Sequence, residues 1–295
     1  MKMNKKIILA TSIVFVIFIF GLIFFNSHGN EKINLKIKDI QEYSSKITQI
    51  FKKTNSYKKR LFVVDFKGDK KGSQVDNLQK TITSIIENSN QKDHVLVRLE
   101  SHGGAAHVYG LGAYELLRIR NAGLKLIISV DRVAASGGYM MACVADEIIA
   151  APFSYIGSIG VYSGVPNFSG IMDELGIVYE RFTAGKYKGG VPIFAPITDN
   201  DRKHQQDFVN RIFNQFKDFV KKNRPKLDIE KIATGEIWTA QEAIKTGLVD
   251  KIYTSEELIL EYKFNGYNIF EVRHIKIDTK KLVWKKLLNK IFPFF

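Results

Sequence analysis

The chain has 295 residues, enough for one large domain or one domain with appendages, and its 45% hydrophobic and 25% charged content is ordinary for a globular protein. A net charge of +14 is of the kind that meets nucleic acid or anionic membrane; no nucleic-acid motif is present, and a basic surface beside a membrane is the better reading. The single cysteine, Cys143, excludes an intramolecular disulfide, and its apolar setting reads as a buried structural thiol.

Ile7 to Phe25 is an uninterrupted apolar run. As a helix it reaches about 28 Å, close to the hydrocarbon thickness of a bilayer. Lys2, Lys5 and Lys6 lie only on its N-terminal side, so the positive-inside rule leaves residues 1–6 in the cytoplasm and the rest outside. The following Asn26–Gly29 offers no small-residue cleavage site, which favours a retained single-pass anchor over a cleaved signal peptide. Residues 30–60 are polar and lysine-rich, with Ile33, Ile37, Ile40, Ile47 and Ile50 at helical spacing, and read as an amphipathic arm.

From residue 61 the chain alternates. Leu61–Phe66, His94–Glu100, Lys125–Val130, Glu147–Ala150, Tyr155–Val161 and Val178–Thr183 read as strands. Val75–Glu87, Val108–Asn121, Ser136–Ala145, Asp199–Lys222 and Glu242–Thr246 read as helices or helical turns. This pattern predicts an α/β domain over 61–262 with largely parallel pairing. The remainder, 263–295, is a basic and apolar extension whose end, Leu282–Phe295, suits either a membrane surface or packing on a neighbouring subunit.

Two segments carry chemistry. In Val133–Tyr139 (VAASGGY), Ser136 stands between small residues where an apolar strand gives way to a helix. Such neighbours admit a substrate backbone, and free N–H groups at the helix start favour a developing oxyanion. A plain helix cap explains the same residues. Ser101-His102-Gly103-Gly104 follows the strand His94–Glu100, and its turn exposes backbone N–H groups where α/β sites sit. Donors from Gly104 and Gly137 together would make an oxyanion hole; an ordinary strand-to-helix turn explains the same residues. A serine nucleophile needs a base. None of the six histidines falls in a recognised triad pattern, and Phe182–Gly190 (FTAGKYKGG) offers Lys186 and Lys188 instead. A free lysine has a pKa near 10.4, so only about one in 2,500 is neutral at pH 7; burial among apolar groups is what makes such a base work. Spacing alone does not choose between the two lysines.

The segments RLFVVDFKG, RLESHGG, VDRVAASGGYMMACVADEIIAAP, IGSIGV, TAGKYK, FKDFVKKNRP and ATGEIWTAQEAIKTGLVD resemble the signal peptide peptidase A / SohB family of serine peptidases, most closely its SohB branch. The resemblance spans about Arg60 to Tyr253, and Val130–Pro152 is its most specific stretch. It implies Ser136 as nucleophile, Lys188 rather than Lys186 as general base, and an oxyanion site at Gly103 and Gly104. It implies a Clp protease/crotonase-like fold, no metal or cofactor, and a homo-oligomer in which one site can draw serine and lysine from neighbouring subunits. It also implies a bacterial inner-membrane protein with its catalytic domain outside the cytoplasm, acting on peptides such as released signal peptides or membrane-protein fragments. His102 stands where the family usually has proline. A soluble acyl-CoA enzyme of the same architecture fits the anchor and the Ser136/Lys188 pair poorly; a non-catalytic scaffold or chaperone is the remaining alternative.

Overall fold

The computed structural model describes residues 59–272. The anchor run, the arm and most of the C-terminal extension lie outside the described residues. Among those described, no helix is long and apolar enough to cross a membrane.

The elements in chain order are β1 (Arg60–Gly68), α1 (Val75–Asn88), β2 (His94–Ser101), α2 (Ala106–Asn121), β3 (Lys125–Val130), β4 (Val133–Ala135), α3 (Gly137–Ala142), β5 (Glu147–Ala150), β6 (Tyr155–Gly157), α4 (Ser169–Glu174), α5 (Asp199–Asn223), α6 (Ile229–Ile232), β7 (Ile237–Thr239), α7 (Ala240–Thr246), β8 (Lys251–Ile252), α8 (Ser255–Phe264) and β9 (Asn268–Val272). All nine strands join one sheet. Its main path runs β7-β6-β4-β2-β3-β5-β8, with β1 beside β2 and β9 beside β1. Every pairing is parallel except β6 with β7. The strand β9 lies beyond residue 262, so the sheet extends into the stretch read from sequence as an extension.

Strand alternation explains the two layers around this sheet. Phe62, Val64 and Phe66 of β1 and Val95, Val97 and Leu99 of β2 face the larger core, which α1, α2, α3 and the end of α5 cover. Leu61, Val63, Leu96, Ile127 and Ile149 face the other way, onto Leu258 and Tyr262 of α8. Helix α8 starts from a capping box between Thr254 and Glu257, and Asp131 accepts hydrogen bonds from both the N–H and the hydroxyl of Ser255. Cys143 is fully buried in the larger core, where desolvation pushes its thiol well above the ordinary range; it is an inert core residue.

Two expected strands change. Tyr155–Val161 pairs only as far as Gly157, because Ser158 turns to φ 50° and its N–H meets the Glu236 carbonyl. Val178–Thr183 forms no strand. That segment and its neighbours are exposed, with Phe182 90% accessible, and it pairs with no strand of the sheet.

Candidate active site

After β3 the chain turns at Asp131–Arg132 and re-enters the sheet as β4. It joins β2 through one pairing, Ser101 with Ala134, and joins β6 through three. This short strand is what carries Ser136 to the carboxyl end of the sheet, next to the turn that leaves β2. Ser136 itself takes φ 53° and ψ −120°. A non-glycine residue pays conformational strain for such a backbone, and such strain gathers at functional sites. Two bonds hold it: the Ser136 N–H donates to Gly157 O at 2.8 Å, and its carbonyl accepts from Met140 N at 2.9 Å. The Ser136 hydroxyl has no hydrogen-bond partner among the described residues. It opens into a cavity of ≈ 410 Å³ whose apolar wall includes Val161, Val209, Phe213 and Ala233, with Ser158 on its rim.

The Gly-Gly turn packs directly on this serine. Gly103 has φ +85°, and a Cβ there would stand 2.7 Å from Gly137 N and 2.8 Å from Ser136 Cβ. Only glycine fits this approach. Its N–H is turned inward, donating to Ser101 Oγ at 3.0 Å, so Gly103 supplies the close contact and not a free donor. The sequence expectation placed the oxyanion site at Gly103 as well as at Gly104 and Gly137; in this structure the Gly103 N–H is already paired. The N–H groups of Gly104 and Gly137 find no acceptor among the described residues. Gly137 is buried, so its unpaired N–H is a costly feature that an oxyanion would relieve.

Lys188 is exposed and is not part of the wall of the Ser136 cavity. Its N–H closes a turn on Gly185 O at 3.0 Å. Within one chain its amine has no hydrogen bond or ion pair among the described residues. Lys186 differs, with its amine 5.0 Å from the centre of the Tyr187 ring. The loop is docked through Tyr187, which stacks on His204 of α5; the next turns of that helix line the Ser136 cavity through Gln206, Val209, Asn210 and Phe213. The structure therefore brings Ser136, Gly103, Gly104 and Gly137 together and leaves Lys188 apart from them. Ser101 heads the Gly-Gly segment that the sequence singles out, whereas Tyr109, which contacts Ser101 and packs against Gly137, carries no motif that sequence reading detects.

Comparison with known proteins matches two family descriptions, peptidase family S49 over residues 118–265 and the N-terminal part of peptidase family S49 over 36–116. "Probable protease SohB" of Buchnera aphidicola subsp. Acyrthosiphon pisum is 46% identical over 218 residues, covering 74% of this chain and 65% of the relative. Its namesake in Buchnera aphidicola subsp. Schlechtendalia chinensis is 42% identical over 232 residues, covering 77% of this chain and 76% of the relative. The chain thus spans about two thirds of the length of the first of these relatives. Among solved structures, a mutant of the 1510-N membrane-bound stomatin-specific protease superposes with a TM-score of 0.50 at 18% identity, covering 74% of this chain and 99% of that one, a likeness of fold. The chain belongs to peptidase family S49.

Proposed function

We propose that the protein is a membrane-anchored serine endopeptidase of Clp protease/crotonase-like fold, with Ser136 as nucleophile and Lys188 as general base. The observation that carries this reading is the strained Ser136, its hydroxyl unpartnered at a cavity of mixed polar and apolar lining, beside the unspent N–H groups of Gly104 and Gly137. Neutral Lys188 takes the Ser136 proton as Oγ attacks a peptide carbonyl. The amides of Gly104 and Gly137 hold the oxyanion, Lys188 returns the proton to the leaving amine, and water releases the acyl-enzyme.

A lysine base requires apolar surroundings, and exposed Lys188 gains them only where another subunit covers its loop. Exposed Tyr162, Val178 and Phe182 on the same segment supply apolar surface for that contact. The site of one subunit then takes its lysine from the next in a homo-oligomer. Apolar peptides, released signal peptides or membrane-protein fragments, are the substrates that the family resemblance and the apolar run Ile7–Phe25 favour. The run Ile7–Phe25 supports a single-pass anchor in a bacterial inner membrane, with the arm at 30–60 and the peptidase domain outside the cytoplasm.

Hydrolysis of apolar fluorogenic peptides by detergent-solubilised protein tests the reading. Loss of activity in both Ser136→Ala and Lys188→Met, with recovery when Ser136→Ala and Lys188→Ala subunits exchange, is the expected result. Activity surviving in folded Ser136→Ala overturns it.

A further inference from the structure

A chain of hydroxyls runs behind the turn that faces Ser136. Ser101, the last residue of β2, accepts the Gly103 N–H at 3.0 Å and lies 2.6 Å from the Tyr109 hydroxyl. Tyr109 donates its only hydroxyl proton to the Asp69 carbonyl at 2.7 Å, so in this short contact Ser101 is the donor. The path then runs Gly103 N–H to Ser101 to Tyr109 to Asp69 C=O, with Gly68 O a second, longer acceptor for the Ser101 hydroxyl at 3.5 Å, and bonds aligned in this way reinforce one another. The turn that receives it holds the neighbouring backbone too, because Lys70 O accepts from Ala105 N at 3.1 Å. Tyr109 is fully buried, and burial raises its phenol above the ordinary range, so it remains a donor.

The same two residues touch the other half of the site. A Cβ on Gly137 would stand 2.5 Å from Tyr109 Cγ, and a Cβ on Gly138 would stand 2.5 Å from Ser101 O. The Tyr109 ring and the Ser101 backbone thus seat the first turn of α3, while the Ser101 hydroxyl, held by that of Tyr109, seats Gly103. We propose that Tyr109 and Ser101 are positioning residues for acyl transfer, a brace that sets the separation of the Gly104 and Gly137 amides. The inference rests on the reading of Ser136 as nucleophile. An oxyanion hole works only when both donors converge on the place where charge develops, and one misplaced donor costs on the order of tenfold to a hundredfold in rate. Such an error acts on the transition state, so it lowers kcat and leaves KM alone.

The test compares wild type, Tyr109→Phe, Ser101→Ala, the double variant and Ser136→Ala in the full solubilised chain. Two rates are read: covalent labelling by a fluorophosphonate, whose phosphoryl oxygen occupies the oxyanion position, and turnover of an apolar peptide. Thermal unfolding of each variant accompanies them. Tyr109→Phe keeps the ring against Gly137 and removes only the hydroxyl. The expected result is a drop of about tenfold or more in labelling rate and kcat, with KM within about twofold. The double variant should be no slower than the slower single one, because both break one chain. Wild-type labelling and kcat in folded Tyr109→Phe overturn the brace, and if that variant does not fold, the same outcome in Ser101→Ala overturns it. A parallel rise in KM with unchanged kcat also overturns it. Undiminished labelling and turnover in Ser136→Ala overturn the nucleophile itself, a result separate from any effect at Tyr109.

Discussion

The Tyr187 ring lies almost flat on the His204 imidazole, with centroids 4.0 Å apart and planes 11° from parallel. This stack ties the loop that carries Lys188 to the helix that walls the Ser136 cavity. The loop has little else to hold it: Gly185, Gly189 and Gly190 all take positive φ, and its side chains are exposed. Aromatic stacking is worth about 0.5–1.5 kcal/mol, which corresponds to about twofold to tenfold in rate when it orients a reacting group. Tyr187→Ala should therefore lower kcat/KM by about that factor with an unchanged melting temperature, and Tyr187→Phe should retain activity. Equal activity in Tyr187→Ala and wild type would remove the stack from the mechanism.

A second prediction concerns acid. His94 Nδ1 lies 2.8 Å from the Tyr262 hydroxyl, and its ring packs on both Tyr262 and Tyr267 where α8 meets the sheet. Desolvation, then Lys125 and Lys59, hold the imidazole below its ordinary pKa. A depressed histidine favours folding in its neutral form. Its contribution is present above about pH 6.5, the unfolded value, and is lost as pH falls through the lower folded value. Melting temperature should fall from pH 8 to pH 5, and His94→Gln should flatten that fall. A slope that His94→Gln leaves untouched would assign the acid sensitivity to other groups.

How much of this was legible depended on what each feature needs from sequence. The strands β1, β2, β3 and β5 each hold three or more apolar residues in a short, largely buried stretch, so composition finds them even where Asp65 and Arg98 interrupt β1 and β2. Strand β4 escaped because three residues, joined to β2 by one pairing, cannot show a period. Val178–Thr183 has strand composition, yet it pairs with no strand and stays exposed, because composition alone does not supply a partner. At the site, Ser136 was visible through its small neighbours. The inward turn of the Gly103 N–H was not, because it depends on Ser101 Oγ and on a tyrosine eight residues further along.

Ser129 illustrates a cost with no visible return. Its side chain is fully buried at β3, and among the described residues its Oγ is the one buried side-chain polar atom without a hydrogen-bond partner. A buried hydroxyl that pairs with nothing forfeits its hydration. Ser129→Ala should leave stability unchanged or raise it by up to about 1 kcal/mol, read from the urea midpoint at constant slope. Destabilisation beyond about 1 kcal/mol would show that the hydroxyl is satisfied in solution.

The contact between Gly137 and Tyr109 gives the sharpest separation of stability from activity. A methyl at residue 137 would stand 2.5 Å from Cγ and 2.8 Å from Cβ of Tyr109, and both are held by a ring that is fully buried. Neither side can yield without displacing the first turn of α3 or the β2 turn opposite. Overpacking of this kind costs about 1–3 kcal/mol, a loss that a domain of ordinary stability survives. On the proposed mechanism the catalytic loss should be larger in proportion, because the displaced group is the Gly137 N–H proposed to hold the oxyanion, and losing one oxyanion donor costs about a hundredfold to a thousandfold. Gly137→Ala should thus remain folded by circular dichroism, melt several degrees lower, and label with fluorophosphonate at least a hundredfold more slowly. Rapid labelling in a folded Gly137→Ala protein would mean that the oxyanion is held elsewhere.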